Sequence, residues 1–575
     1  MNKKLFNFAL LLLVAGTANA RERFSTNDAS AVYLLKSRHI TVDPAGVKTV
    51  RIKRQLKILQ AEGLDRFGDI QVPYNAHYES AKLIRAETLT PEGKRIAVQP
   101  DIVKDMLPQD ARGYREYSDL RQLAFSMPAL TKGAVIEYEV ELNGKQPIIE
   151  GHFWTQHFID DFLPIYTSRY TISTPEELDY TVLAPNITDT PEEYIRDGIR
   201  TRTWEQTEVP HLKVERQMPP GNEARQMILT SSIPDWEVVE AWFKGLMEDR
   251  VSQSDTIVSL ARKLTREDMT RTEKINALSH FAQKSVRYVA IELGQGAYQP
   301  RPADSCLKNL YGDCKDKSVL LISLLKAVGI EAHIALVRPN YFGAIDQSLP
   351  HPGQFNHAIV FLPGEDQDRW LDPTIPGIGA NAHPNQLDGC HALVMGRGWR
   401  FHTIPTLPPE QTLLERTFEI FLSPDGMHRV ISRETGYGRM AAAIRNAIGE
   451  MPDDEREEIL TEQAKARAGF QRFIGYRVDN FDLLDDSFSY ELEYISNAAL
   501  APHNGGFATK LEPFGVARAL VLRDWESEKD GRLHPWVTHS TTAEALVDAC
   551  ISLPDLPLHE TFNLMTKPFP TAPYR

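Results

Sequence analysis

Residues 318–325 read Ser-Val-Leu-Leu-Ile-Ser-Leu-Leu, and no other stretch restricts the fold so strongly. Val319, Leu320, Leu321, Ile322, Leu324, Leu325 and Val328 leave almost no polar face at helical spacing. The run is far short of the ~20 apolar residues that cross a bilayer. A helix apolar nearly all round must be buried nearly all round, so the chain has to build a core about it. Gly329 supplies the stop at the C-terminal end. The start is Gly312-Asp313-Cys314-Lys315-Asp316-Lys317-Ser318. Cys314 is therefore predicted at the N-terminal end of a helix that enters a core. There the free amides and the positive dipole end stabilise a thiolate. The Cys314 backbone N–H can also meet a developing oxyanion. Lys315 and Lys317 add positive charge, much of it offset by Asp313 and Asp316. The competing reading is a structural cysteine at a helix start.

A thiol nucleophile needs a base, and the base needs an orienting partner. After the helix, residues 332–337 alternate as a strand, and a Pro- and Gly-rich loop follows over 339–353. Phe355-Asn356-His357-Ala358-Ile359-Val360-Phe361-Leu362 then places a histidine at the mouth of an apolar strand. His351 lies in the Pro-flanked loop and His333 on a strand face, so both are weaker candidates. Asp368-Arg369-Trp370-Leu371-Asp372 reads as a strand stopped by Pro373. Antiparallel pairing of 357–362 with 369–372 through the turn at 363–366 would set His357 beside Asp372. Both would then sit at the sheet end facing the Cys314 helix.

The rest of the 575 residues divides by pattern. Residues 1–20 read as a signal peptide: a basic Met1-Asn2-Lys3-Lys4 start, an apolar stretch, and Ala18-Asn19-Ala20 as the cleavage site. Cleavage after Ala20 predicts a periplasmic or secreted protein with no membrane span afterwards. Residues 21–222 are rich in short alternating runs such as 47–53 and 134–142, which predicts an antiparallel β-sandwich. Pro219-Pro220-Gly221-Asn222 reads as the break before a helical tract that opens a core over 223–406. Residues 407–575 read as a C-terminal β-rich domain with a helical insertion over 438–449 and 453–468. The whole is α+β and multidomain.

A net charge of −14 argues against a nucleic-acid partner, which would require clustered Lys and Arg. Four cysteines in so long a chain form neither a disulfide framework nor a zinc motif, and no cofactor or metal is expected. A Cys306–Cys390 pair stays open, and Cys550 reads as a small buried hydrophobe.

Taken together, Gly312-Asp313-Cys314-Lys315-Asp316-Lys317 before an apolar helix, Phe355-Asn356-His357-Ala358 and Trp370-Leu371-Asp372-Pro373-Thr374 resemble the three signatures of the bacterial transglutaminase-like superfamily. Tyr298-Gln299-Pro300-Arg301-Pro302-Ala303 is similar to a subgroup of exported members that carry a β-rich domain of unknown function before the core. The resemblance implies a papain-like core with Cys314 as nucleophile, His357 as base and Asp372 as orienter. It implies acyl transfer through a thioester: thiolate attacks an amide, an amine leaves, and water or another amine resolves the acyl-enzyme. Transfer and hydrolysis both remain open. Among Gln299, Tyr298 and Tyr288, Gln299 ranks first as a further oxyanion donor, because its amide donates without titrating. The expected partner is a peptide or protein amide in the cell envelope. The alternative is a non-catalytic envelope binding or assembly protein that uses the core as a scaffold.

Overall fold

The computed structural model describes residues 24–108, 119–215, 218–289, 298–364, 367–408, 412–421, 427–449, 451–467, 469–479, 484, 487–497, 501–503, 506–508, 544–548 and 561–567. The predicted leader and Cys550 lie outside these residues.

The N-terminal region is β-rich. Its alternating runs at 47–53 and 134–142 fall largely in the strands Lys48–Ile58 and Val135–Gly144 of an eight-stranded sheet. Asp43 sets the first hairpin by accepting from the amides of Ala45 (2.9 Å) and Val47 (2.8 Å). The sheet is not wholly antiparallel. Ala31–Val42 runs parallel to Ile165–Pro175, from Tyr33 opposite Ile165 to Thr41 opposite Ser173. The long chain between these two strands provides the crossover that a parallel pair requires, and local alternation carries no information about it. Two three-stranded sheets pack on the large one. Ile40, Val50, Ile136 and Tyr170 of the large sheet share a core with Ile70, Leu123 and Phe125 of one small sheet and Ile228 of the other.

The break at 219–222 does not end this region. After the short turn of helix Gly221–Ala224, the strand Met227–Ser231 returns to pair with Trp154–Phe158 and Thr181–Leu183. Pro and Gly mark the turn but cannot show that the chain comes back.

Three capped helices follow: Trp236–Met247 with Asp235 as cap, Asp255–Leu264 with Ser254, and Arg271–His280 with the Thr270/Glu273 capping box. Next to the last lies a π-helical turn, Phe281–Ser285. The helix Cys314–Ala327 is buried from Cys314 through Leu325. It packs on a five-stranded antiparallel sheet ordered Arg369–Leu371, His357–Leu362, His333–Val337, His391–Val394, Arg400–Thr403. Ala358, Val360 and Leu362 face the helix, while Ile359 and Phe361 face a second cluster with Trp370, Leu387 and Ile404. A sheet covered on both faces reads as continuous apolar runs, as residues 358–362 do. Cys306 belongs to the first cluster and Cys390 to the second, and both are free thiols. The sheet lies between the two clusters, so the open Cys306–Cys390 pairing is not formed.

The C-terminal region is a six-stranded sheet, with the helices Arg439–Ile448 and Asp453–Lys465 inserted after its strand His428–Tyr437. Among the described residues no helix is long and apolar enough to cross a membrane.

Candidate active site

The Cys314 helix begins with a reciprocal cap. Asp313 accepts from the amides of Lys315 (2.8 Å) and Asp316 (3.0 Å), while Asp316 Oδ2 accepts from the Asp313 amide at 3.3 Å. This is a capping box with Asp in both places. The cap claims the second and third amides of the helix and leaves that of Cys314, the first, for another acceptor. Asp316 Oδ1 also accepts from the Arg301 amide at 2.7 Å, which ties the segment carrying Tyr298 to the helix start. Burial and neighbouring Asp313 push the Asp316 carboxyl up to about 6.

Lys315 does not extend into solvent. It is buried and pairs with Asp313 Oδ2 at 2.6 Å. Lys317 is also buried; its ammonium donates to the Val286 carbonyl at 2.6 Å and the Gln283 carbonyl at 3.3 Å. Burial brings it down to about 8, opposed by Cys306 and Asp372. From the sequence, both lysines count only as positive charge near the helix start, much of it offset by Asp313 and Asp316. Their aliphatic stems are instead absorbed by the core while their heads find internal partners.

Gly312 is required by packing. A Cβ there would lie 2.6 Å from Asp316 Cβ and 3.1 Å from Cys306 Sγ. Gly312→Ala is expected to destabilise the protein by about 1–3 kcal/mol through overpacking of a closed site. Thermal unfolding checks this, and an unchanged midpoint would show that the cap has room to shift.

His357 opens its strand opposite Val337. Its Nε2 lies 2.9 Å from Asp372 Oδ2, with the imidazole side chain 11 % and the carboxylate 0 % exposed. Val360 pairs with Leu371 in the adjoining strand, which carries Asp372 past the sheet edge beside the ring. Asp372 Oδ1 is held separately by Thr374, through its amide at 2.9 Å and its hydroxyl at 2.6 Å. Burial disfavours the imidazolium, but the Asp372 charge and hydrogen bond outweigh it, with the neighbouring Cys314 adding to them. Together they push His357 up to about 10. Burial acts to raise the Asp372 carboxyl, yet His357 and Thr374 hold it below the usual carboxylate range. With Nε2 engaged by Asp372, Nδ1 is the ring nitrogen left for the thiol.

Cys314 and His357 line one cavity of about 240 Å³, whose walls include Trp242, Tyr298, Phe355 and Asn356. Cys314 itself is 3 % exposed. The structure thus brings Cys314, His357 and Asp372 together. Gln299 is not among the residues lining the cavity, whereas its neighbour Tyr298 is, packed edge-on against Trp242 at 5.2 Å. Tyr288 is exposed in a short strand beside Tyr311–Gly312. His333 pairs with Glu331 (2.8 Å), and His351 is buried beneath Trp154. Thr374 was missed as a supporting residue, although an Asp-Pro-Thr turn offers donors to its own Asp.

The loop before His357 is tied down. The Gln354 amide donates to the carbonyls of Asp346 (2.9 Å) and Leu349 (2.6 Å). Ser231 donates to the Pro350 carbonyl at 2.6 Å and Trp236 to that of Gln347 at 2.8 Å. Pro352 and Gly353, at its end, border the cavity. Among the described residues no cluster of three or more His, Cys, Asp or Glu is placed to hold a metal.

Two family models match the chain: DUF3857, a domain of unknown function with a solved structure, over residues 44–213, and the transglutaminase-like superfamily core over 258–348. The second span contains Cys314 and ends before His357 and Asp372. No curated protein matches. Among solved structures, a provisionally named protease from Parabacteroides distasonis ATCC 8503 superposes with a TM-score of 0.57 at 16% identity. That match covers 81% of this chain and 93% of the other, and the likeness is one of fold. A provisionally named cysteine protease from Cytophaga hutchinsonii overlaps at a TM-score of 0.19 and 18% identity, over 39% of this chain and 75% of its own, too little to support an argument. The helix-start cysteine therefore lies in a span that matches the transglutaminase-like superfamily core, and that span follows an N-terminal one that matches DUF3857.

Proposed function

We propose that the chain is an exported, thiol-dependent acyl transferase or amidase/peptidase that acts on peptide or protein amides of the cell envelope. The observation that supports this best is the buried His357–Asp372 pair, whose imidazole lines the same cavity as Cys314. Cys314 is the nucleophile. His357 takes the thiol proton through Nδ1 and holds it as an imidazolium stabilised by Asp372. The thiolate adds to the amide carbonyl, and the oxygen that becomes negative is met by the Cys314 amide at the helix start. His357 then delivers its proton to the departing nitrogen, the C–N bond breaks, and a thioester remains on Sγ. Water or an incoming amine, deprotonated by His357, releases the acyl group. Water makes the protein a peptidase or amidase; an amine makes it a transferase.

The low exposure of Cys314 favours a second reading, in which the core is an inert scaffold. Alkylation separates the two. We expect Cys314 to react with a small haloacetamide near neutral pH, and His357→Ala to slow that reaction about tenfold or more, because an unassisted thiol is only a few per cent thiolate at pH 7. Mass spectrometry of Cys314-containing peptides against time measures both rates. A thiol inert in both proteins supports the scaffold; equal non-zero rates remove His357 as base.

A further inference from the structure

Next to the Cys314 cavity lies a second cavity, of about 200 Å³. Gly353 lines both. A Cβ on Gly353 would stand 2.7 Å from Trp154 Nε1 and 3.2 Å from His351 Nδ1, so a glycine is needed where the two cavities meet. The second cavity is walled by Arg38, Lys48, Trp154, Gln156 and His351 together with small and aliphatic neighbours, and no Asp or Glu lines it. It therefore joins the β-rich region to the loop that precedes His357.

Its polar groups are left wanting a partner. His351 is 1 % exposed, and neither of its ring nitrogens has a hydrogen bond. Arg38 Nε is buried without one. Lys48 donates to the Trp154 carbonyl at 3.0 Å and sits 5.6 Å from the centre of the Trp154 ring. Trp154 in turn stacks on His351, with centroids 6.1 Å apart and planes inclined by 20°. The carboxylate that acts on both Arg38 and Lys48 is Glu79, which stands outside the wall and accepts from the Asn75 amide at 3.2 Å. Arg54 and Tyr170 also act on Arg38, and Arg338 on His351. Arg38 and Lys48 are partly buried, and drawing cations out of water costs free energy unless an anion answers them. The strain shows in their protonation: burial lowers Lys48 to about 8 against the pull of Glu79, and lowers His351 to about 3 with Lys48 and Arg338 adding to it.

We propose that this cavity is an anion subsite of the Cys314 cleft, and that the acyl donor is an acidic peptide whose carboxylate enters it while its amide meets Cys314. This rests on the acyl-transfer reading above and supplies the substrate class that the triad by itself does not. A carboxylate fits the chemistry: two cationic heads to pair with its charge, a neutral imidazole N–H to donate, and a flat indole against which its stem can lie. The space, several times the ~30 Å³ share of one water, accepts a carboxylate with a few carbons.

The test uses the full chain and chloroacetylated short peptides bearing Glu at one of three successive positions, each paired with the same peptide bearing Gln. Saturation of Cys314 alkylation gives the half-saturating concentration and the limiting rate for each reagent. At one position the Glu reagent should half-saturate at about tenfold lower concentration than its Gln partner, the size expected of one charge-assisted hydrogen bond, with a similar limiting rate. Lys48→Met and Arg38→Gln, each checked for native circular dichroism, should collapse that advantage toward unity. Equal Glu and Gln reagents at all three positions, with Cys314 labelled, overturn the subsite and leave the triad standing. A Glu advantage undiminished in both variants overturns it as well, because the preference then arises elsewhere. A Cys314 that no reagent labels sinks the acyl-transfer reading and the subsite with it.

Discussion

Cys314→Ala is expected to abolish turnover of an amide substrate, by on the order of 10⁴-fold or more, without changing the fold. The size follows from the chemistry: without Sγ there is no covalent intermediate, and water must attack the amide unaided. The stability cost is small because one sulfur is removed from a side chain that already lines a cavity. The cap around it is built from Asp313, Lys315 and Asp316 rather than from the thiol. Steady-state rates and thermal unfolding of the same preparation measure both halves. A variant that turns over a validated substrate at the parental rate would falsify Cys314 as nucleophile. A variant that loses its cooperative transition would instead make the residue structural.

Asp372→Asn should have the second-largest effect, lowering kcat by on the order of 10³–10⁴-fold, because an amide neither stabilises the imidazolium nor fixes the ring tautomer. It also carries a pH signature. Burial alone lowers the pKa of His357; Asp372 is the largest influence that raises it, to about 10. Removing the carboxylate charge lets burial dominate, so the alkaline limb of Cys314 alkylation should fall from near pH 10 to well below it. An alkaline limb that stays in place would separate His357 from Asp372 functionally, whatever their distance. The same pair links stability to pH, with a definite sign. The folded pKa of His357 lies above its unfolded value of about 6.5, so its contribution is complete below that pH and is lost as pH rises through about 10. The folded Asp372 pKa is depressed, so its contribution is present above the unfolded carboxyl value of about 3.9 and is lost in acid. The interaction is shared and counts once. The stability of wild type over Asp372→Asn should be greatest between these unfolded values and shrink toward pH 10.

The site was legible because its residues mark the ends of strongly patterned elements. Cys314 precedes a run that can only be a buried helix, His357 opens an apolar strand, and Asp372 is stopped by Pro373. Short-range register then fixes their meeting, since the two strands are joined by a turn. What was not legible depended on distant pairing. The parallel contact between Ala31–Val42 and Ile165–Pro175 and the return of Met227–Ser231 to the N-terminal sheets leave no trace in local alternation. The inward turn of Lys315 and Lys317 was hidden for a related reason. A lysine reads as surface until the carboxylate or carbonyl that receives it is placed in space.

The ties that hold the loop before His357 have a consequence for how such a core is inherited. Ser231 fastens Pro350, Trp236 fastens Gln347, and Trp154 lies against Gly353, so residues from the N-terminal half anchor one rim of the thiol's cleft. The cysteine-bearing segment is therefore not a portable cassette. Transplanted alone it would carry its thiol intact and arrive with that rim unsupported, which gives selection a reason to keep the two halves in one polypeptide.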